Sequence, residues 1–364
     1  MQFLAELGSI IITSYLTLTT ALIGFVLPFL PNEEVISLNN QATEIRAKHN
    51  SLTKLESNFR NGYLIPDVLL KNAAFQQANI LGTIFPHSTT TYSVSQAAVN
   101  IYCTYTTSEY VRATTGSGFF ITPSGAILTN AHVAQFLLLE KANREGRTEC
   151  FVRTGSPAVA QYKAKLLYIP PAWISANADL IDAKKPQGTG ERDYALLYAS
   201  EALENKPLPA RFPYLKINTS ALRYNDIDSP ITAAGYPAAP LYENGVNAQL
   251  LFVQAEAKIT DLFTFAETTA DLMAISDSPV STGGSSGGPV VNHNGEATGV
   301  IVTKGETTSD SLRAITLSYI DRTITEETGF SLLAYLNSDL ARRATVFENA
   351  LAPFLRQILE RELN

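Results

Sequence analysis

From about Ser93 the chain breaks into short apolar runs separated by turn residues. AAVNIYCTY, SGFFI, AILTN, ECFVRTG, YKAKLLYI and DYALLYA come first. PYLKI, SPITAAGYP, QLLFVQAEAKIT, DLMAIS, GPVVN, EATGVIVT and LRAITLSYI follow. These runs are rich in β-branched and aromatic residues, which fit a pleated, half-buried surface. Pro123-Ser124-Gly125 joins two of them as a hairpin turn would. Asn294-Gly295 joins two more, and it is a strong hairpin signal because both central residues of a type I′ turn need positive φ. About a dozen such strands predict a barrel or sandwich. They do not alternate regularly with helical segments, which argues against a doubly wound parallel sheet.

Both ends have a different texture. Between Glu6 and Glu33 there is no charge, and an apolar segment of about 20 residues is long enough to span a bilayer. Thr13, Ser14, Thr17, Thr19 and Thr20 dilute its hydrophobicity, and Met1 to Glu6 lacks the basic residues of a signal peptide. Residues 1–31 are read as an uncleaved transmembrane anchor; a cleaved signal or a buried core helix stays open. Residues 32–92 are polar, with a weak apolar stripe, and read as a helical stalk or extension. His49 and His87 lie there as ordinary surface histidines. Residues 93–322 form the β-rich domain. Residues 323–364 form a C-terminal extension of one or two amphipathic helices, interrupted at Pro353. This tail is too short for a second globular domain.

Composition narrows the function. The 364 residues are 45% apolar and 17% charged, enough for a sizeable core. The net charge of −7 and the lack of any basic run argue against nucleic acid as a partner. Four histidines and two cysteines show no metal-ligand spacing, so no metal and no cofactor is expected. Cys103 and Cys150 are either two buried thiols or one disulfide, depending on the compartment.

Three segments carry chemistry together. ILTNAHVA places His132 after a β-like run, ERDYALLYA opens an apolar run with Asp193, and GGSSGGPVV runs directly into a strand and hairpin. A serine hydroxyl is a poor nucleophile until a neutral imidazole can take its proton. A carboxylate fixes the imidazole tautomer, and two backbone N–H groups must meet the developing oxyanion. Glycines around the serine permit the tight turn that aims those groups. Asp179 and Asp182 are rival carboxylates, but neither opens an apolar run.

TNAHV, DYALL and GSSGGPV, in this order, resemble the chymotrypsin-fold serine proteases. Within them the chain looks most like the bacterial trypsin-like group that includes the HtrA/Deg proteases, whose motifs are T-x-A-H-V, D-[LIV]-A-[LV]-[LI] and G-N-S-G-G-P. GSGFFITPSGAILTNAHV and AAGYP extend the match, which covers roughly Ser93 to Ile320. The resemblance implies two six-stranded antiparallel β-barrels with a cleft between them. It implies His132 as general base, Asp193 as its orienter and Ser286 as nucleophile, with the N–H groups of Gly284 and Ser286 as the oxyanion hole. Ser285 departs from the family's usual Asn or Asp and takes the role of spacer.

The same resemblance implies more. The first and fourth strands of the first barrel are neighbours in that fold, which brings Cys103 beside Cys150 as a disulfide. The first substrate pocket is walled by Val280, Thr282, Gly283, Val302 and Thr303. With no acidic residue among them, a small or medium apolar side chain is expected at the cleavage position; Lys304 could instead admit an acidic one. The chain ends too early for the PDZ domain that the HtrA group often carries. The expectation is a membrane-anchored serine endopeptidase for protein or peptide substrates, with its β domain outside the cytoplasm, or secreted after signal cleavage. Self-association stays open. The alternative is a catalytically silent protease-fold module used for binding.

Overall fold

The computed structural model of the chain describes residues 92–363, apart from 143–144, 183–187, 246–247, 266–268 and 308–309. The anchor expected over 1–31 and nearly all of the stalk expected over 32–92 lie outside the described residues. Among the described residues, no helix is long and apolar enough to cross a membrane.

A single helical turn, α1 (Val94–Ala97), is closed by a capping box between Ser93 and Gln96 and leads into the strands. β1 (Ala98–Thr106), β2 (Val111–Phe120), β3 (Ala126–Thr129), β4 (Arg147–Thr154), β5 (Val159–Tyr168) and β6 (Ala195–Ala202) close into one barrel, in the order β1-β2-β3-β6-β5-β4. β7 (Pro230–Gly235), β8 (Val253–Phe263), β9 (Leu272–Ile275), β10 (Pro289–Asn292), β11 (Ala297–Thr307) and β12 (Asp310–Thr316) close into a second. The second barrel repeats the strand order of the first, and neighbouring strands in both are antiparallel. This is the mainly β, chymotrypsin-like architecture that the motifs implied.

Many strands read as unbroken apolar runs because both of their faces are covered. Successive side chains of a strand point to opposite faces. In β3, Ile127 faces the first barrel's core while Ala126 and Leu128 join a second cluster outside it. In β11, Ile301 enters the second barrel's core while Val300 and Val302 join that same outer cluster. Helices complete the outer layer. α2 (Ala131–Leu138) follows β3, α3 (Pro171–Asn177) follows β5, and α4 (Ala239–Asn244) follows β7. After β12 come α5 (Leu317–Thr328), α6 (Leu332–Leu336), α7 (Leu340–Ala350) and α8 (Ala352–Glu362). Leu317, Ile320 and Ile324 of α5 and Leu332 and Leu336 of α6 fill the outer cluster. Leu355 and Leu359 of α8 pack with Leu137 and Leu138 of α2.

Three local expectations change. The run LRAITLSYI is not one strand: it splits at Thr316, whose side chain accepts the Tyr319 N–H and caps α5. PYLKI forms only an isolated bridge, Ile217 to Ala297. The hairpin between β10 and β11 forms, but of its two turn residues only Gly295 takes a positive φ (76°), so the turn is not type I′. Asn292 Oδ1 shapes it instead, accepting the N–H groups of Asn294 and Glu296. The interruption expected at Pro353 is present: α7 ends at Ala350 and α8 starts at Ala352, with Pro353 in its first turn, where a missing N–H costs nothing. Cys103 and Cys150 are direct cross-strand partners on β1 and β4, and a disulfide joins them.

Candidate active site

α2 begins immediately after Asn130, which keeps an extended backbone at the N-cap position. His132 is therefore the second helical residue, and its backbone N–H has no partner inside the helix. That N–H donates to Asp193 Oδ1 at 2.9 Å, while the ring Nδ1 pairs with Asp193 Oδ2 at 2.7 Å. One carboxylate thus fixes both the backbone and the ring. With the Nδ1 proton held by Asp193, the other ring nitrogen, Nε2, is left to accept. The His132 side chain is 28% exposed and that of Asp193 only 7%. Burial pulls the imidazole pKa down, but the charge of Asp193 and the hydrogen bond to it win, and the pKa lies above the ordinary histidine value.

Asp193 sits at the end of a tight turn just before β6. Gly190 (φ 87°) and Arg192 (φ 56°) both take left-handed backbone, and the Asp193 N–H returns to Gly190 O at 3.2 Å. Buried Asn130 donates its Nδ2 to Asp193 O at 2.7 Å, tying the turn to the start of α2. Of the rival carboxylates, Asp179 is exposed on the turn Ala178–Asp182, and the side chain of Asp182 lies outside the described residues.

Ser286 lies on the turn before β10. Gly284 has φ 92°, and a Cβ there would stand 2.6 Å from Tyr236 O, so the position needs glycine on both counts. The carbonyl of Gly283 accepts the Ala238 N–H at 2.7 Å. A trans peptide points its N–H away from its carbonyl, so this bond turns the Gly284 N–H to the opposite side. Among the described residues, neither the Gly284 N–H nor the Ser286 N–H donates to a protein acceptor. No hydrogen bond joins Ser286 to His132 there either.

A residue the motifs did not single out holds this turn. Ser117 of β2 is fully buried; its N–H donates to Ser286 O at 2.7 Å and its Oγ donates to Gly284 O at 2.8 Å. The same Oγ accepts the Tyr236 N–H at 2.8 Å. One serine of the first barrel therefore clamps the serine turn of the second. The available signal was its setting between Gly116 and Gly118, which marks a close backbone approach. Ser285 is buried, with its Oγ unpartnered in the protein. Of the residues expected to wall a substrate pocket, Thr282 and Gly283 are exposed at the turn. Val280 is a core residue of the second barrel, and Val302 packs against Gly190, so each offers a pocket only its backbone. The side chain of Thr303 lies outside the described residues.

Comparison with known proteins fits this picture. No curated protein matches the chain. Among solved structures, the active form of the Rv3671c protease from M. tuberculosis aligns with a TM-score of 0.39 and 18% identity, over 68% of this chain and 95% of that one. The serine endoprotease from Yersinia pestis aligns with a TM-score of 0.39 and 20% identity, over 71% of this chain and 66% of that one. Likeness of that degree adds nothing about the activity of this chain. The family described as the trypsin-like peptidase domain matches residues 116–300, more than half the chain, a span that includes His132, Asp193 and Ser286. With two closed six-stranded barrels and that match, the chain belongs to the trypsin-like peptidase domain family.

Proposed function

We propose that the chain is a serine endopeptidase in which Ser286, His132 and Asp193 carry the reaction. The observation that supports this most is the paired contact of Asp193 with His132, backbone and ring together, beside a turn whose two N–H groups have no protein acceptor. Ser286 Oγ attacks the substrate carbonyl carbon as His132 Nε2 takes its proton. Asp193 holds the resulting imidazolium through Nδ1–H. The oxyanion accepts hydrogen bonds from the N–H groups of Gly284 and Ser286. The tetrahedral adduct then collapses, and the C–N bond breaks as His132 returns the proton to the leaving amine. Water, deprotonated by His132, attacks the Ser286 ester; the acyl C–O bond to Ser286 then breaks as His132 returns the proton to Ser286 Oγ, and the acid is released. The missing bond between Ser286 and His132 favours a second reading, a silent module. Catalytic hydrogen bonds that are long without substrate are common, however, and tighten in the complex.

The peptidase domain, residues 93–322, is carried by an anchor over 1–31 and a stalk over 32–92, with a helical extension over 323–364. The disulfide between Cys103 and Cys150 supports a place for the domain outside the cytoplasm. Its substrates are proteins or peptides, in quality control or processing.

Labelling with a fluorophosphonate, read across pH, tests the chemistry. The chain should label on Ser286, and Ser286→Ala should not. The base works deprotonated, and its pKa lies above the ordinary 6.5. Labelling should therefore fall away as pH drops through a midpoint above that value. Asp193→Asn should slow labelling by about 10⁴-fold. A chain that never labels at any pH is the silent module.

A further inference from the structure

We propose that α5 is the positioning element for Asp193: Tyr319, Thr323 and Glu327, four residues apart on one helical face, grip the two residues that flank it. The inference rests on the assignment of Asp193 above and deepens it. Arg192 precedes Asp193, and its N–H donates to Tyr319 Oη at 3.1 Å. Its guanidinium forms an ion pair with Glu327, whose carboxylate also accepts the Tyr168 hydroxyl. Tyr194 follows Asp193, and its hydroxyl lies 2.8 Å from Thr323 Oγ1. The Thr323 hydroxyl already donates to Tyr319 O at 3.0 Å, so in the pair with Tyr194 the tyrosine is the donor.

Burial makes these contacts costly unless they are made. Tyr194 is fully buried, and Tyr319 and Thr323 are each 3% exposed. A hydrophobic side chain would fill the same layer without needing a partner, as Ile320 and Ile324 do one position further on. Arg192 adds a second argument. Its φ of 56° is unfavourable for a residue with a Cβ, by roughly 1 kcal/mol or more, and persists only where the surroundings over-determine it. Here the surroundings are the Tyr319 hydroxyl on its N–H and Glu327 on its guanidinium. The helix is itself fixed at both ends, by the Thr316 cap and by Gly329 in left-handed backbone. A rigid helix that follows the last strand of the second barrel therefore sets the Cα position of a carboxylate belonging to the first. Tyr319, Thr323 and Glu327 are positioning residues, acting through Arg192 and Tyr194.

The test uses the full chain and two readouts. One is the low-field proton resonance of His132 Nδ1–H, which reports its hydrogen bond to Asp193 and does not depend on activity. The other is the rate of labelling of Ser286 by a fluorophosphonate. Thr323→Val removes the hydroxyl at nearly constant shape, Tyr319→Phe removes the acceptor for Arg192, and Glu327→Gln removes the ion pair. Each should shift or broaden the resonance and slow labelling roughly tenfold. Thr323→Ser, which keeps the hydroxyl, should restore both. If the variants melt at a lower temperature yet keep the resonance and the original rate, α5 is only a prop and the proposal is overturned. If the unmodified chain does not label at all, the peptidase reading fails, while the resonance still decides the positioning role.

Discussion

Ser285 and Ser286 are adjacent hydroxyls in opposite surroundings. Ser286 is half-buried on a turn where neither its own N–H nor that of Gly284 has a protein acceptor, whereas Ser285 is 1% exposed with an unpartnered Oγ. Burying a hydroxyl without a hydrogen bond costs about 1–3 kcal/mol. Ser285→Ala should therefore leave labelling of Ser286 intact and raise stability by about 1 kcal/mol, after some packing is lost. Thermal unfolding with parallel labelling checks both. A loss of stability would mean that the hydroxyl has a partner from outside the protein, such as a bound water. At this scale the sequence was informative where chemistry forces a local motif. His132, Asp193 and Ser286 each stand in a recognisable short segment. Asn130 and the grip of Glu327 on Arg192 were not legible, because each partner lies far away in the chain and a lone Asn or Glu carries no local signal; Ser117 had only its two flanking glycines, which mark a close approach but not its partner.

At the scale of elements, α2 shows how a catalytic side chain is held from behind. His132 stands at its N-terminal end, and at the other end Arg356 of α8 donates Nε to Leu138 O at 2.8 Å. The last carbonyls of a helix lack partners and carry partial negative charge, so a cation there satisfies both needs. Arg356 is only 17% exposed, and Glu348 stands 3.7 Å from its guanidinium. Arg356→Met keeps the apolar stem and removes the donor and charge. It should cost about 1–2 kcal/mol, read as a lower urea midpoint at an unchanged denaturant slope. An unchanged midpoint would show that water caps α2 equally well. Element type was readable where a short run rich in β-branched and aromatic residues was bounded by turn residues, as in most strands of both barrels. It failed where no turn residue marked the end of a run. LSYI read as a continuation of the strand LRAIT, because a short apolar run cannot separate strand from helix. The resolving signal was Thr316, a cap residue in the middle of the run.

At the scale of the whole molecule, the two barrels share one strand order but close differently. Each closes by pairing its first strand with its fourth: β1 with β4, and β7 with β10. Only the first closure carries a covalent bond, because Cys103 and Cys150 sit directly opposite each other there. The sequence could place that bond only through the resemblance to a known fold, since two cysteines 47 residues apart have no spacing signature of their own. A cross-link over a separation of that size lowers the entropy of the unfolded chain by an amount worth about 4 kcal/mol at 25 °C. That is a large share of the 5–15 kcal/mol typical of a folded domain. The paired variant Cys103→Ala with Cys150→Ala should therefore melt well below the oxidised chain. Amide hydrogen exchange locates the effect. Exchange should quicken across Tyr102, Thr104, Phe151 and Val152 on the β1–β4 seam, and stay unchanged across Ala233 and Val290 on the β7–β10 seam, which has never depended on a cross-link. Equal acceleration at both seams would mean that the barrels unfold as one cooperative unit, and that the disulfide stabilises the whole fold rather than the closure of the first barrel.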